Sequence, residues 1–249
     1  MKSTLFVAWQ QPDSLEWIPI ASLIYENNKY LFSYTQGVFR AKGFAPFGRM
    51  DKLDVVYESD TLFPLFSNRL INKSRPEFRD YLRWLGLNDA PEDNMSMLAL
   101  TGGVRGTDLI ELFQPPILTS DGFYKLEFFA RSLVYLPKST INLISELKID
   151  SRLFLMKDSQ NEFDPMALAL RSESPKALLG YCPKYYAQDL DALLHAENSD
   201  LKVHVKCINL DAPLNMRLRC SVTAKIPSEF THFESGIDFR PVIDSTPER

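Results

Sequence analysis

Leu201-Lys202-Val203-His204-Val205-Lys206-Cys207-Ile208, followed by Met216-Arg217-Leu218-Arg219-Cys220-Ser221-Val222-Thr223-Ala224-Lys225-Ile226, decides how the second half of the chain folds. Leu201, Val203, Val205 and Cys207 occupy alternate positions of the first segment, and Met216, Leu218, Cys220, Val222 and Ala224 those of the second. A period of two sends successive side chains to opposite sides of a pleated strand, so each segment reads as a strand with one apolar face. The other faces carry Lys202, His204 and Lys206, and Arg217, Arg219 and Lys225. Paired, they would form a basic stripe, although such rows are also ordinary solvated β surface.

Working outward, strand patterns recur at 123–136, 152–156, 167–170 and 178–181, and one helix is expected over 184–195 with Ala187, Leu190 and Leu194 inward. Short strands with a single main helix suggest a small, partly open β-barrel. Upstream, Gln114-Pro115-Pro116 and Thr119-Ser120-Asp121-Gly122 form the best linker, because consecutive prolines stop regular structure. The expected division is 1–117, 118–228 and an irregular tail over 229–249, its final residues disordered.

The first part reads as a small antiparallel sheet with helices, making the whole chain α+β. Residues 4–9 and 28–34 are strand-like, separated by turn-prone Gln-Pro-Asp and Glu-Asn-Asn. Leu62, Leu65, Phe66 and Leu70 recur at helical spacing, and Ser74-Arg75-Pro76-Glu77 offers a capping box for a second helix ending at Gly86. Arg75, Arg79 and Arg83 lie on that helix's polar side, most simply a solvated face. A third helix is expected over 91–100, then a glycine turn, Thr101-Gly102-Gly103-Val104-Arg105-Gly106-Thr107, and a strand over 109–113. The turn lacks phosphate-loop spacing and a following Lys.

With 249 residues, 45% hydrophobic and 24% charged, the composition is that of a folded chain and excludes collagen-like or largely disordered classes. Acids slightly outnumber Lys and Arg in each part of the chain (14 to 12 over 1–119, 15 to 14 over 120–235 and 3 to 2 over 236–249), so no segment is a polybasic tail and any nucleic-acid contact must come from charges gathered on one face. No apolar run approaches the roughly 20 residues that span a bilayer, and the start lacks signal-peptide features, so no membrane partner and a cytoplasmic location are expected. Cys182, Cys207 and Cys220 are odd in number and lack a CxxC pair, reading as reduced thiols. His204 and Cys207 differ by an odd number and so point to opposite strand faces, which speaks against zinc. No Ser, His, Asp or Cys, His set shows catalytic spacing; the expectation is a non-enzyme without metal or cofactor.

Asn161-Glu162-Phe163-Asp164-Pro165-Met166-Ala167, followed by Leu179-Gly180-Tyr181-Cys182-Pro183-Lys184 opening a helix, resembles the HIRAN domain over about residues 122–227. The resemblance implies an OB-like barrel and binding of single-stranded DNA at a free 3′ end. By motif position it implies Asn161, Phe163 and Asp164 at the terminal nucleotide, and Tyr181 and Lys184 near base and phosphate. Glu162 stands where the family often has Pro, and Leu133-Val134-Tyr135 where it has an Arg-Tyr pair, with Tyr135 and Arg131 as substitutes. The chemistry suits those roles: an aromatic ring gives a base a stacking surface, and Asn and Asp can bond to a terminal hydroxyl. The same residues also make an ordinary turn, in which Phe163 would cap the barrel.

Residues 1–115 resemble a second family. Residues 4–9 and 30–34, with Leu62-Phe63-Pro64-Leu65-Phe66-Ser67-Asn68-Arg69-Leu70, are similar to the N-terminal subdomain of HipA-like toxin kinases. Met97-Leu98-Ala99-Leu100-Thr101-Gly102-Gly103 and Gly106-Thr107 are similar to its later helix and turn. Such a kinase needs a further catalytic region, whose place here the barrel takes. The two resemblances together imply a DNA-binding regulator, an antitoxin-like partner of a HipA-type kinase in a toxin-antitoxin or phage-defence module. The alternative is an adaptor of that kinase whose barrel does not bind DNA.

Overall fold

A computed structural model describes residues 2–90 and 93–243. The chain divides into two compact units: one runs to Pro115 and resumes at Glu234, and the other is Pro116–Phe233.

In the first unit, β1 (Ser3–Gln10), β2 (Trp17–Glu26), β3 (Lys29–Tyr34) and β4 (Tyr57–Ser59) are followed by α1 (Pro64–Ser67), α2 (Phe78–Leu85), α3 (Asn94–Thr101) and β5 (Ile110–Phe113). The antiparallel sheet has the order β4-β3-β2-β1-β5. Glu26 pairs with Lys29 across Asn27 and Asn28, both at positive φ (53° and 62°), a two-residue hairpin turn suited to strand twist. The sequence does not announce β2 as a strand because six consecutive residues from Ile18 are buried, which erases the period of two. Phe32 lies at the centre of the core, with the rings of Tyr34, Phe47, Tyr57, Phe63 and Phe66 around it. The Tyr34 hydroxyl donates to the Met50 carbonyl (2.6 Å) and accepts from the Phe47 amide (2.8 Å), pinning the segment between β3 and β4. Burial pushes this phenol up to about 12, so it stays a donor.

The helices differ from expectation at their starts. α1 is a single turn, and α2 begins at Phe78, four residues after the proposed Ser74 cap. The Asn72 side-chain amide oxygen, Oδ1, accepts from both the backbone N–H (2.9 Å) and hydroxyl (2.8 Å) of Ser74, a local turn that competes with capping. Gly86 ends α2 in the left-handed conformation, as its position suggests. α3 is capped by Asp93, which accepts from the Ser96 amide (2.9 Å); Pro91, expected in this helix, lies outside the described residues. The Arg69 side chain is 1% exposed and donates to Leu65 O (3.1 Å), Gly103 O (2.9 Å) and Asp108 Oδ2 (2.6 Å). The glycine turn is thereby anchored to α1.

The tail expected to be irregular from 229 has only two short 3-10 turns among its described residues, Phe233–Ser235 and Ile237–Phe239, and those residues are packed against the two units. Residues 234–243 belong to the first unit: Gln36 N–H donates to Arg240 O and Val242 N–H to Tyr34 O, while Arg40 pairs with Asp238 (2.7 Å) and the Phe239 ring meets Phe6 and Phe113. Residues 230–233 close the second unit, where Phe233 N–H donates to Asp189 Oδ1 (2.9 Å) and buried His232 Nδ1 lies 3.0 Å from Asp189 Oδ2. The final residues, 244–249, lie outside the described residues.

The second unit contains β6 (Ile117–Leu118), β7 (Phe123–Phe129), α4 (Lys138–Glu146), β8 (Arg152–Lys157), β9 (Leu168–Ser172), β10 (Leu178–Tyr181), α5 (Ala187–His195), β11 (Lys202–Ile208) and β12 (Leu218–Lys225). Two of the sequence expectations need correction. Residues 123–136 are not one strand: β7 stops at Phe129, and Ser132 at φ 66° turns the chain into a 3-10 turn, Leu133–Tyr135. α4 is a second helix that the strand-rich reading does not foresee. The sheet is antiparallel in the order β10-β9-β8-β11-β12-β7-β6 and is not a closed barrel. Of the expected apolar face, Val203, Val205, Leu218, Cys220, Val222 and Ala224 are buried, joined by Leu126 and Leu153, whereas a register shift between Val205 and Cys207 sets Cys207 opposite Arg219 and Met216 lies in a 3-10 turn before β12.

Replacing Arg69 by Ala should lower the stability of the first unit by about 3 kcal/mol in urea denaturation, because it removes one member of a buried pair and leaves Gly103 O without its donor. Asp108→Asn keeps an acceptor oxygen but leaves the buried Arg69 guanidinium without its counter-charge, and should cost about as much. A negligible loss for either variant would contradict this assignment of the pair.

Candidate nucleic-acid interface

Gly180 determines how the site is built. Its φ of +130° is rarely open to residues with a side chain, and a Cβ there would lie 2.9 Å from the Arg131 carbonyl oxygen. This close approach lets the next residue, Tyr181, exchange both backbone hydrogen bonds with Arg131 (2.9 and 3.1 Å). The chain just beyond β7 is thus bridged to β10, the far end of the strand order.

The loop between β8 and β9 completes the site. Asn161 Oδ1 accepts from the amides of Phe163 (3.0 Å) and Asp164 (2.9 Å), and Asp164 Oδ1 accepts from the Met166 amide (3.0 Å). These are side chain to backbone bonds that shape a turn without neighbouring strands. The loop is fastened to β10 through Asp158, whose Oδ2 accepts from the Tyr181 hydroxyl (2.8 Å) and, at 3.4 Å, from Asn161 Nδ2. Burial and the Asp158 carboxylate hold the Tyr181 phenol above its ordinary value, so it remains a donor. Lys184 Nζ lies 3.7 Å from Asp164 Oδ1, and an Arg131 guanidinium N–H donates to the Tyr185 hydroxyl (3.2 Å).

Arg131, Asn161, Asp164, Tyr181 and Lys184, widely spaced in sequence, are therefore linked in one network. Phe163 stands on the same loop with 76% of its surface exposed, so it does not cap the sheet's core. Tyr135, on the 3-10 turn after Arg131, is 85% exposed. Asp158 and Tyr185 are additional members that sequence reasoning missed. Asp158 lies just past a strand end within the polar run Asp158-Ser159-Gln160-Asn161, with no period to mark it.

The basic stripe is less free than strand alternation suggests. Lys206 and Arg219 both reach Glu127 (3.2 and 2.6 Å), Lys202 pairs with Asp200 (2.6 Å), and Arg217 donates to Ala212 O (2.7 Å). Among the described residues, no group of three or more His, Cys, Asp and Glu is placed to hold a metal ion, and no helix is long and apolar enough to cross a membrane.

Residues 123–227 match the HIRAN domain. This HIRAN segment contains every site residue named above. Among solved structures, the chain is similar to a protein from Lactobacillus plantarum (17% identity, TM-score 0.33, covering 41% of this chain and 97% of that one). It is also similar to the HIRAN domain of human HLTF (15% identity, TM-score 0.31, covering 43% of this chain and 84% of that one). A search of curated proteins finds no match.

Gly180→Ala should cost about 2–3 kcal/mol, since it combines an unfavourable φ with a clash against backbone that cannot yield cheaply. Amide hydrogen exchange at Arg131 and Tyr181 should accelerate in this variant. Unchanged protection at both amides would show that the bridge does not depend on the glycine.

Proposed function

We propose that the second unit binds single-stranded DNA at a free 3′ end through the loop and the β10 end, and that the protein acts as a non-enzymatic DNA-binding regulator. One observation carries this reading: two strongly exposed aromatic rings, Phe163 and Tyr135, stand on segments joined by the polar network of the HIRAN segment. Exposed rings suit base stacking, which contributes about 1–3 kcal/mol per base and tolerates any sequence.

The network gives the site its preference for an end. Asp158 and Asp164 supply carboxylate oxygens that accept from a terminal hydroxyl and repel a terminal phosphate. Lys184, beside Asp164, is the cation for the penultimate phosphate. Asn161 commits its oxygen to the turn, so in this reading it sets the angle of Phe163 and Asp164. For the first unit we extend the proposal to contact with a HipA-type kinase, on the strength of the Leu62–Leu70 motif, in which Arg69 fastens α1 to the glycine turn.

Titration into labelled single strands with a 3′ hydroxyl, single strands with a 3′ phosphate, and a blunt duplex, at two salt concentrations, tests the DNA reading. The hydroxyl strand should bind most tightly, and Phe163→Ala and Tyr135→Ala should each weaken it about 5- to 150-fold, the equivalent of one lost stack. Their melting temperatures should stay unchanged because both rings are exposed. Absence of binding at low salt would overturn the DNA reading and leave the kinase adaptor, to be sought by copurification.

A further inference from the structure

The sheet of the second unit has an outer face with a composition unlike the rest of that unit. Over residues 116–233 Lys and Arg are matched in number by Asp and Glu. At outward strand positions the balance is seven to one: β8 and β9 contribute Arg152 and Arg171, β11 contributes Lys202 and Lys206, and the remaining three lie on β7 and β12. These are Lys125, Arg219 and Lys225, and the single acid is Glu127.

Strand register orders these charges and connects them to the site. Tyr181 pairs with Ala169, and Arg171 lies two residues further along β9 on the same face. Arg171 pairs with Phe154 on β8, and the next residue of that face, Arg152, pairs with His204 on β11. Lys202, Thr223 and Lys125 make the following cross-strand row over β11, β12 and β7. The Phe154 ring lies between two guanidinium groups, Arg171 at 4.5 Å and Arg152 at 5.1 Å from its centroid.

We infer that this face carries the phosphate backbone of the single strand whose terminus occupies the loop site, so that the strand runs from Tyr181 past Arg171 and Arg152 towards Lys202 and Lys125. The inference rests on the proposed DNA reading and adds a path to it. Same-face positions are about 6.7 Å apart along a strand and about 4.8 Å apart between strands, the scale on which an extended nucleic acid repeats its charges. Asp200 holds Lys202 and Glu127 holds Lys206 in the free protein, and phosphates would take over those two cations at little cost, because pairs with a solvent-exposed ammonium are weak. An acidic peptide would satisfy the charges but has no terminus suited to the exposed rings of the loop.

The test compares oligothymidylates of about 4 and about 16 nucleotides, each with a free 3′ hydroxyl, by fluorescence anisotropy over a salt series on the full chain. The longer strand should bind at least tenfold more tightly. The double variant Arg152→Gln with Lys202→Gln should remove most of that gain, lower the slope of log K against log salt by about 0.7 for each cation lost, and leave the 4-mer unaffected. Lys125→Gln with Lys225→Gln should act in the same direction without touching the Phe154 stack. Equal binding of the two lengths, or a length gain that survives both double variants, overturns the path while the loop reading stands. If neither strand binds the unaltered protein, the DNA reading fails and the path with it.

Discussion

Two backbone hydrogen bonds between Arg131 and Tyr181 connect the parts of the second unit that matter. Without them the sheet would be an open ribbon with β10 at one edge and β7 next to the other. With them, the turn bearing Tyr135, the loop bearing Phe163 and the 3-10 turn before α5, which bears Lys184, come together. The bond between Tyr181 and Asp158 then fixes the loop to the same point. A single residue without a side chain makes the approach possible, which explains why a glycine stands in the middle of a four-residue strand, where it would otherwise be unfavourable.

The electrostatics of this unit depend on where charges lie, since its net balance is uninformative. Acids concentrate in loops and helices, among them Asp158 and Asp164 at the loop site and buried Asp189 against His232. Cations concentrate on strands at outward positions. A near-neutral domain can in this way present a local field strong enough to steer a polyanion while remaining uncharged at a distance. The arginine pair around Phe154 also shows how a ring on a polar face can be kept partly covered by charged side chains.

Much of this organisation was legible in the sequence wherever one face of a strand is wet. The alternation of 201–208 and 216–226 gives β11 and β12, and the Asn161 and Gly180 motifs locate the loop and bridge that the structure joins. The reading failed where burial is two-sided or where a side chain redirects the backbone. β2 carries no period because both its faces are covered. α2 starts late because Asn72 captures Ser74, and β7 stops early because Ser132 adopts a left-handed turn. Asp158 and the incorporation of the tail depend on contacts between residues far apart in the chain, which no local pattern encodes.

The return of residues 234–243 to the first unit has a consequence for biosynthesis. The whole of Pro116–Phe233 is translated before the segment that finishes the first unit emerges. At about 5–20 residues per second, that interval is about 6–24 s. During it Phe6 and Phe113 lack the Phe239 ring, and the Tyr34 carbonyl lacks the amide of Val242. The nascent first unit therefore presents an unfinished apolar surface for seconds after most of its own sequence has been made, a window in which chaperones, or a second nascent chain, can reach it.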